Sequence, residues 1–237
     1  MLVGIVLILN NSAVYNGYVL QKIGKFLKQN YYWLIVALLL TIVAFIMVDL
    51  LSDDFRMQMD VVAHDFLVEK LRSPMLTKAA KFITMFGSTL AMGVVSLIVI
   101  VTTRNRRIAS LLVLNLVIAT AINLAIKDIV QRPRPLGYRL VSETGFSFPS
   151  GHSMISMALY GFVIYLIYRY AHDRNLKWAS IIFLSLLIIV IGLSRIYLGV
   201  HYASDVLAGL LISMAYLMIY LKIVARYLPK KLRLGWK

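Results

Sequence analysis

The sequence predicts an all-α, polytopic membrane protein with six transmembrane helices and an outer amphipathic helix between the first two. Three observations carry that expectation. Uncharged apolar runs of the length that crosses a bilayer, about 20 residues of helix, recur six times along 237 residues. Only 15% of the residues are charged, 61% are hydrophobic and the mean hydropathy is +0.82, whereas a soluble domain carries about 25% charged residues. Basic residues are also segregated. When the chain is threaded through six spans, 15 of the 25 Lys and Arg residues fall on one side with a single acid, Asp173.

The predicted spans are Tyr31–Leu51, Phe82–Val101, Ile108–Ile126, Met154–Tyr170, Trp178–Ser194 and Ala203–Val224. Asp49, Arg169, Asp205 and Lys222, the charges inside these windows, lie within about a turn of an end, where long side chains reach water or headgroups. Tyr31, Tyr32 and Trp33 read as interfacial anchors of the first span. By the positive-inside rule the strongly basic side is cytoplasmic, so both termini face inward and three loops face outward. The chain then divides into a cytoplasmic N-terminal segment (1–30), a six-helix membrane domain (31–224) and a basic cytoplasmic tail (225–237). The net charge of +15 is assigned to topology and contact with anionic lipid, not to nucleic acid. Met1–Leu9 is apolar but too short for a span, and it lacks the basic region and cleavage site of a signal peptide. With no cysteine in the chain, disulfide scaffolds, thiol catalysis and cysteine metal sites are excluded.

Between the first two spans, Phe55, Met59, Val62 and Phe66 recur at helical spacing over Asp53–Arg72. That pattern predicts an amphipathic helix ending near Pro74, with Asp60, Asp65, Glu69 and Lys70 off the apolar face. Such a helix lies on the outer interface or packs on the bundle, or it acts as a lid beside a site.

The outer loops hold the residues with chemistry. Lys127 closes the third span, and Arg132-Pro133-Arg134-Pro135 follows, with Arg139 beyond. Proline fixes the backbone and removes donors, so the loop presents stiffly held cations, a better match to a phosphate than to a fluid headgroup layer. The same loop ends in Pro149-Ser150-Gly151-His152 at the start of the fourth span. There Ser150 is a candidate N-cap, and Gly151 admits close approach to amides at a positive helix end. The third outer loop supplies Ser194-Arg195 and His201, and the sixth span carries Asp205 four residues on. On a helix, His201 and Asp205 share a face, so the carboxylate takes one imidazole proton and leaves the other nitrogen as nucleophile or base. A lone histidine at a helix end is more often structural than catalytic. Three loops distant in sequence, on one predicted membrane face, argue for a single site.

Lys127 with six intervening residues before Arg134-Pro135, then Pro149-Ser150-Gly151-His152, then Ser194-Arg195 with five residues before His201 and three before Asp205, resembles the tripartite signature of the type 2 phosphatidic acid phosphatase superfamily at every position. The six-span layout is also similar to the membrane-bound lipid phosphatases of that family. The resemblance covers Lys127 to Asp205 and implies hydrolysis of a membrane lipid mono- or diphosphate at the outer face of the cell membrane. Undecaprenyl diphosphate, phosphatidylglycerophosphate and phosphatidic acid are the candidate substrates. It implies that Lys127, Arg134, Arg195, Ser150 and the Gly151 amide hold the phosphate. His201 would form a phosphohistidine, Asp205 would orient it, and His152 would protonate the leaving oxygen and then activate water. Arg132, outside the shared pattern, is expected as an auxiliary phosphate contact. No metal or other cofactor is expected, since Asp128, Glu143 and Asp205 form no evident divalent-ion cluster and the cations neutralise charge. His64 and His172 match nothing and are expected on the surface. A vanadate-binding haloperoxidase on the same signature would be soluble, unlike this chain. A lipid phosphotransferase using the same site, or a non-catalytic lipid-binding or transport protein, are the alternatives. The oligomeric state is left open.

Overall fold

Helix caps and apolar stripes set the element boundaries in the computed structural model, which describes residues 58–229 apart from Tyr138, and positions 21, 31–32, 35–36, 38–43 and 46. The predicted first span and the terminal segments therefore lie largely outside the described residues. Among the described residues there are helices and no strand. Helix α1 (Gln58–His64) runs into a π-helical turn, Asp65–Lys70. It is followed by α2 (Pro74–Met85), α3 (Thr89–Thr103), α4 (Arg106–Val130), α5 (Gly151–Tyr170), α6 (Arg174–Tyr197) and α7 (Ala203–Val224).

Polar N-caps start these helices as the amide-donor rule requires. Ser73 accepts from Leu76 N, Asn105 from Arg107 N and Ile108 N, Ser150 from Ser153 N and Asp173 from Leu176 N. Helices α4 to α7 match the third to sixth predicted spans, each long and apolar enough to cross a membrane. The sixth coincides with its prediction, and the other three extend beyond theirs by a turn at most ends.

The second predicted span is corrected. The apolar run Phe82–Val101 is not one helix, because α2 and α3 meet at a 52° bend. At the break Ser88 donates from its hydroxyl to Met85 O and accepts from Ala91 N, closing one helix and capping the next. Gly87 permits the packing there: a Cβ would lie 2.7 Å from Ile191 Cγ2 and 3.0 Å from the His152 ring. Hydropathy is blind to this, since Gly and Ser are nearly neutral on any transfer scale.

Helix α5 is central, packed against α4, α6 and α7, and its Leu159, Phe162 and Leu166 join Ile108, Leu112, Ile191 and Leu217 in the main core. The outward faces stay apolar: Leu114, Val117 and Leu124 of α4, and Ile182, Phe183 and Leu186 of α6, are exposed. Apolar surface continuous around several helices is a bilayer-facing surface, so the protein is a multi-pass membrane protein.

The two ends of the bundle separate as the loop charges predict. At one end the α3–α4 and α5–α6 turns line a shared apolar groove, with Thr102, Thr103, Tyr170 and Ala171, and Tyr170 donates to Pro229 O. At the other end Leu140 N reaches Leu198 O, Ser150 N reaches Asp205 O, and Ser73 bonds to the Tyr197 hydroxyl.

Helix α1 also differs from its prediction. Val62 and Phe66 of the apolar face are exposed, as on a helix at the interface, while Asp60, expected off that face on the polar side, is 3% exposed. Met59, Ala63 and Leu67 are the side chains that meet α6 and α7, against Ile196, Ala203 and Val206. A charge pairing inside the bundle, described below, rotates the helix about its axis relative to the purely apolar expectation.

Candidate active site

Every predicted site residue lies at the end of the bundle that gathers the loops after α4 and α6. Helix α4 supplies Lys127 in its last turn, where its ammonium donates to Phe146 O at 2.5 Å. The loop after it is fastened by Ser147, whose amide donates to Arg132 O and whose hydroxyl reaches Pro133 O. Arg134 is fixed from three directions, donating to Gly145 O (3.0 Å), Thr144 O (2.9 Å) and Val200 O (3.0 Å). Its Nη1 also stands 3.2 Å from His201 Nε2.

That contact defines the tautomer of His201. A guanidinium only donates, so Nε2 is the acceptor and carries the lone pair, and the proton sits on Nδ1, 3.4 Å from Asp205 Oδ2. The pairing does not arise from a shared helix face as expected. His201 precedes α7, and Asp205 is the third residue of that helix, reaching back to accept from Tyr202 N at 2.9 Å. The carboxylate thus caps its own helix and orients the imidazole. Both residues are buried.

Ser150 and Gly151 begin α5, packed so closely on α7 that a Cβ on Gly209 would stand 3.0 Å from Ser150 O. Ser150 Oγ receives Ser153 Oγ at 3.0 Å. His152 follows on the first turn, beside Gly87. Arg195 is not in a loop but in the last turn of α6. It is 2% exposed, donates to Thr84 Oγ1 at 2.7 Å and pairs with Glu143. Its Nε, also buried, has no acceptor among the described residues. Arg132, expected as an auxiliary phosphate contact, has its two terminal nitrogens engaged by Asp60, Ser204 and Asp205. His64 and His172 are exposed, as expected.

Two residues of the site escape sequence reasoning. Thr84, at the α2–α3 bend, is 111 positions from the arginine it serves. Glu143, in the loop between Arg139 and Gly145, stands between Arg195 and Arg134, the latter at 3.9 Å. Burial alone would raise the Glu143 carboxyl, but Arg195, His152 and Arg134 together hold it below its ordinary value. It is an ionised carboxylate lodged among the cations expected to bind phosphate.

His201 is pushed down to about 4. Burial is the main cause, opposed by the hydrogen bond and charge of Asp205 and reinforced by Arg134 and Arg195. A lowered value means that the imidazole stays neutral as pH falls from 8 to 5, keeping the Nε2 lone pair available. In ¹⁵N-histidine NMR of the solubilised protein, the resonances missing from a His201→Gln variant are expected to remain those of a neutral ring down to pH 5. Protonation with a midpoint near the usual value of about 6.5 would contradict this.

The sequence pattern of the PAP2 superfamily matches residues 108–228, just over half of the chain. The chain is 38% identical over 90 residues to phosphatidylglycerophosphatase B of Bacillus subtilis, an alignment covering 37% of this chain and 44% of that protein. It is 27% identical over 192 residues to undecaprenyl-diphosphatase of Sulfolobus acidocaldarius, covering 78% and 87%. Among solved structures, it superposes on a transmembrane PAP2-type phosphatidylglycerolphosphate phosphatase from Bacillus subtilis with a TM-score of 0.69 at 24% identity, covering 81% of this chain and 96% of that one. LpxE from Aquifex aeolicus gives 0.59 at 22% identity, covering 72% and 98%. These two likenesses establish a shared fold.

Proposed function

Because this chain belongs to the PAP2 superfamily, whose relatives named above include phosphatases, we propose that it is an integral-membrane lipid phosphatase acting through a phosphohistidine on His201. Its substrate is a lipid mono- or diphosphate of the kind those relatives are named for: undecaprenyl diphosphate or phosphatidylglycerophosphate, with phosphatidic acid a third candidate. The observation that carries this reading is the Nε2 lone pair of His201, facing the Arg134 guanidinium and backed on its other nitrogen by Asp205.

The chemistry follows from that geometry. Phosphate oxygens displace the Glu143 carboxylate and are held by Lys127, Arg134, Arg195 with its free Nε–H, Ser150 and the Gly151 amide. Nε2 of His201 attacks phosphorus as the bond to the lipid oxygen breaks, and His152 delivers a proton to that oxygen. The negative charge of Asp205 offsets the positive charge that develops on the imidazole, and the guanidinium groups stabilise the equatorial oxygens. In the second half His152 removes a proton from water, the oxygen attacks phosphorus, the P–N bond breaks and inorganic phosphate leaves. Each half-reaction returns the proton that the other used, so the cycle balances.

Purified protein with a panel of the three lipids is expected to release inorganic phosphate, undiminished by excess EDTA and inhibited by vanadate, which adopts the five-coordinate geometry of phosphorus in transfer. Loss of activity on chelation with recovery on adding Mg²⁺ would contradict this, as would transfer of the phosphate to an alcohol with no release.

The arrangement in the membrane completes the proposal. Six spans within 31–224 form the phosphatase domain, α2 and α3 counting as one bent span, with segments 1–30 and 225–237 cytoplasmic and α1 on the outer side. The excess of basic residues at the α3–α4 and α5–α6 end supports it. Since the chain has no cysteine, an impermeant thiol reagent reads single substitutions cleanly. Leu136→Cys is expected to label in intact cells and Asn175→Cys only after permeabilisation, and the opposite pattern would invert the topology.

A further inference from the structure

Two buried carboxylates share the guanidinium of Arg132. On one side Nη1 donates to Asp205 Oδ1 at 2.5 Å, and on the other Nη2 donates to Asp60 Oδ2 at 2.9 Å. Asp60 also accepts from Ser204 N and Ser204 Oγ, each at 2.7 Å, while Ser204 Oγ receives Arg132 Nη1 at 2.8 Å. The guanidinium lies over the Tyr202 ring, 3.9 Å from its centroid, a favourable place for a cation. Both aspartate side chains are fully buried and that of Arg132 is 9% exposed. Asp60 comes from α1, outside the segment 108–228 that the superfamily pattern covers.

We propose that Asp60 is a positioning residue for the nucleophile: through Arg132 it fixes the orientation and preserves the net negative charge of the Asp205 carboxylate that serves His201. This rests on the reading of His201 as the nucleophile. Asp205 must offer Oδ2 to the imidazole and carry negative charge when His201 becomes cationic on phosphorylation. Arg132 alone would pin Oδ1 but also neutralise Asp205, leaving little field for the imidazole. With Asp60 on its far side, the guanidinium is shared, and Asp60, Arg132 and Asp205 together keep one negative charge beside His201. Removing one member of such a buried set leaves the remaining charges uncompensated. The amide of Ser204 ties α1 to the start of α7, so the same carboxylate fixes the helix that carries Asp205.

A role through Arg132 has a signature that plain structural support lacks. Asp60→Asn is expected to lower kcat about 10- to 100-fold, the range typical of groups that orient a histidine without touching the reacting atom. KM should stay within about twofold, because neither Asp60 nor Arg132 contacts phosphate. In Asp60→Asn/Arg132→Gln the neutralising cation is gone as well, so kcat is expected to rise above that of Asp60→Asn. Additive losses would show that Asp60 does not act through Arg132, since independent effects add within a few tenths of a kcal/mol. The amplitude of the phosphoenzyme burst with an aryl phosphate counts competent sites, so kcat is read per folded site. If Asp60→Asn yields no folded protein, the comparison is between Arg132→Gln, where two carboxylates face each other unneutralised, and the double variant. Faster turnover by the double variant carries the claim, and equal rates overturn it. Wild type run alongside separates the two levels of inference. No phosphoenzyme in wild type sinks the proposed mechanism, whereas a wild-type burst with unchanged kcat in Asp60→Asn sinks only the role of Asp60.

Discussion

His201→Ala is expected to abolish turnover of every phosphorylated substrate, lipid or aryl, together with any phosphoenzyme. The reason is the position of one lone pair. Arg134 and Asp205 occupy opposite sides of the ring and leave Nε2 as the nucleophilic nitrogen. In other enzymes with covalent intermediates, loss of the nucleophile costs about 10⁶-fold in kcat. Alanine removes the nitrogen but not the arginines, so the variant should still bind phosphate through Lys127, Arg134 and Arg195. Dissociation constants for inorganic phosphate near those of wild type, read by isothermal titration calorimetry, would show that the site is assembled. Measurable steady-state release of phosphate above the uncatalysed rate would contradict the assignment.

His152→Ala is expected to fail differently. Its ring lies on the first turn of α5, beside Gly87 and close enough to Glu143 to influence that carboxylate. There it can serve the leaving group and then water. With a lipid substrate the leaving alkoxide needs a proton, and losing a general acid costs about 10²- to 10⁴-fold. An activated aryl phosphate leaves without one. The variant should therefore phosphorylate with that substrate, give a burst of the aryl product and then stall for lack of a base. A linear time course with no burst would show that His152 is needed for the first step whatever the leaving group.

Much of the fold and most of the site were legible in the sequence, for reasons that differ from residue to residue. Helices α4 to α7 could be read because a membrane span needs a continuous apolar run, which survives in one dimension. Ser150 could be read as a cap because capping is local, a side chain answering an amide three residues on. Lys127, Arg134, His152, Arg195 and His201 stand out because three loops on one predicted face carry cations and histidines, in an order that resembles a family signature.

The remainder depends on approaches that no local pattern encodes. The break at Phe86–Ser88 was hidden because Gly87 and Ser88 do not interrupt an apolar average, and only the packing of Ile191 and His152 against Gly87 reveals it. Asp60 read as part of a polar helix face because its partners Arg132 and Ser204 are 72 and 144 residues away. Thr84 and Glu143 carried no signal for the same reason. Two arginines around a proline suggest one ligand in the sequence, and only the fold shows one guanidinium turned toward His201 and the other toward two carboxylates.

In the proposed mechanism phosphorus becomes bonded to His201. That bond is tested most directly by quenching wild-type enzyme in alkali within milliseconds of mixing with a ³²P-labelled substrate and locating the label by peptide mapping. An acid-labile, alkali-stable phosphoryl group is expected on the peptide containing His201, appearing before free phosphate and absent from His201→Ala. Label on His152, or free phosphate accumulating with no labelled protein at any time, would contradict it.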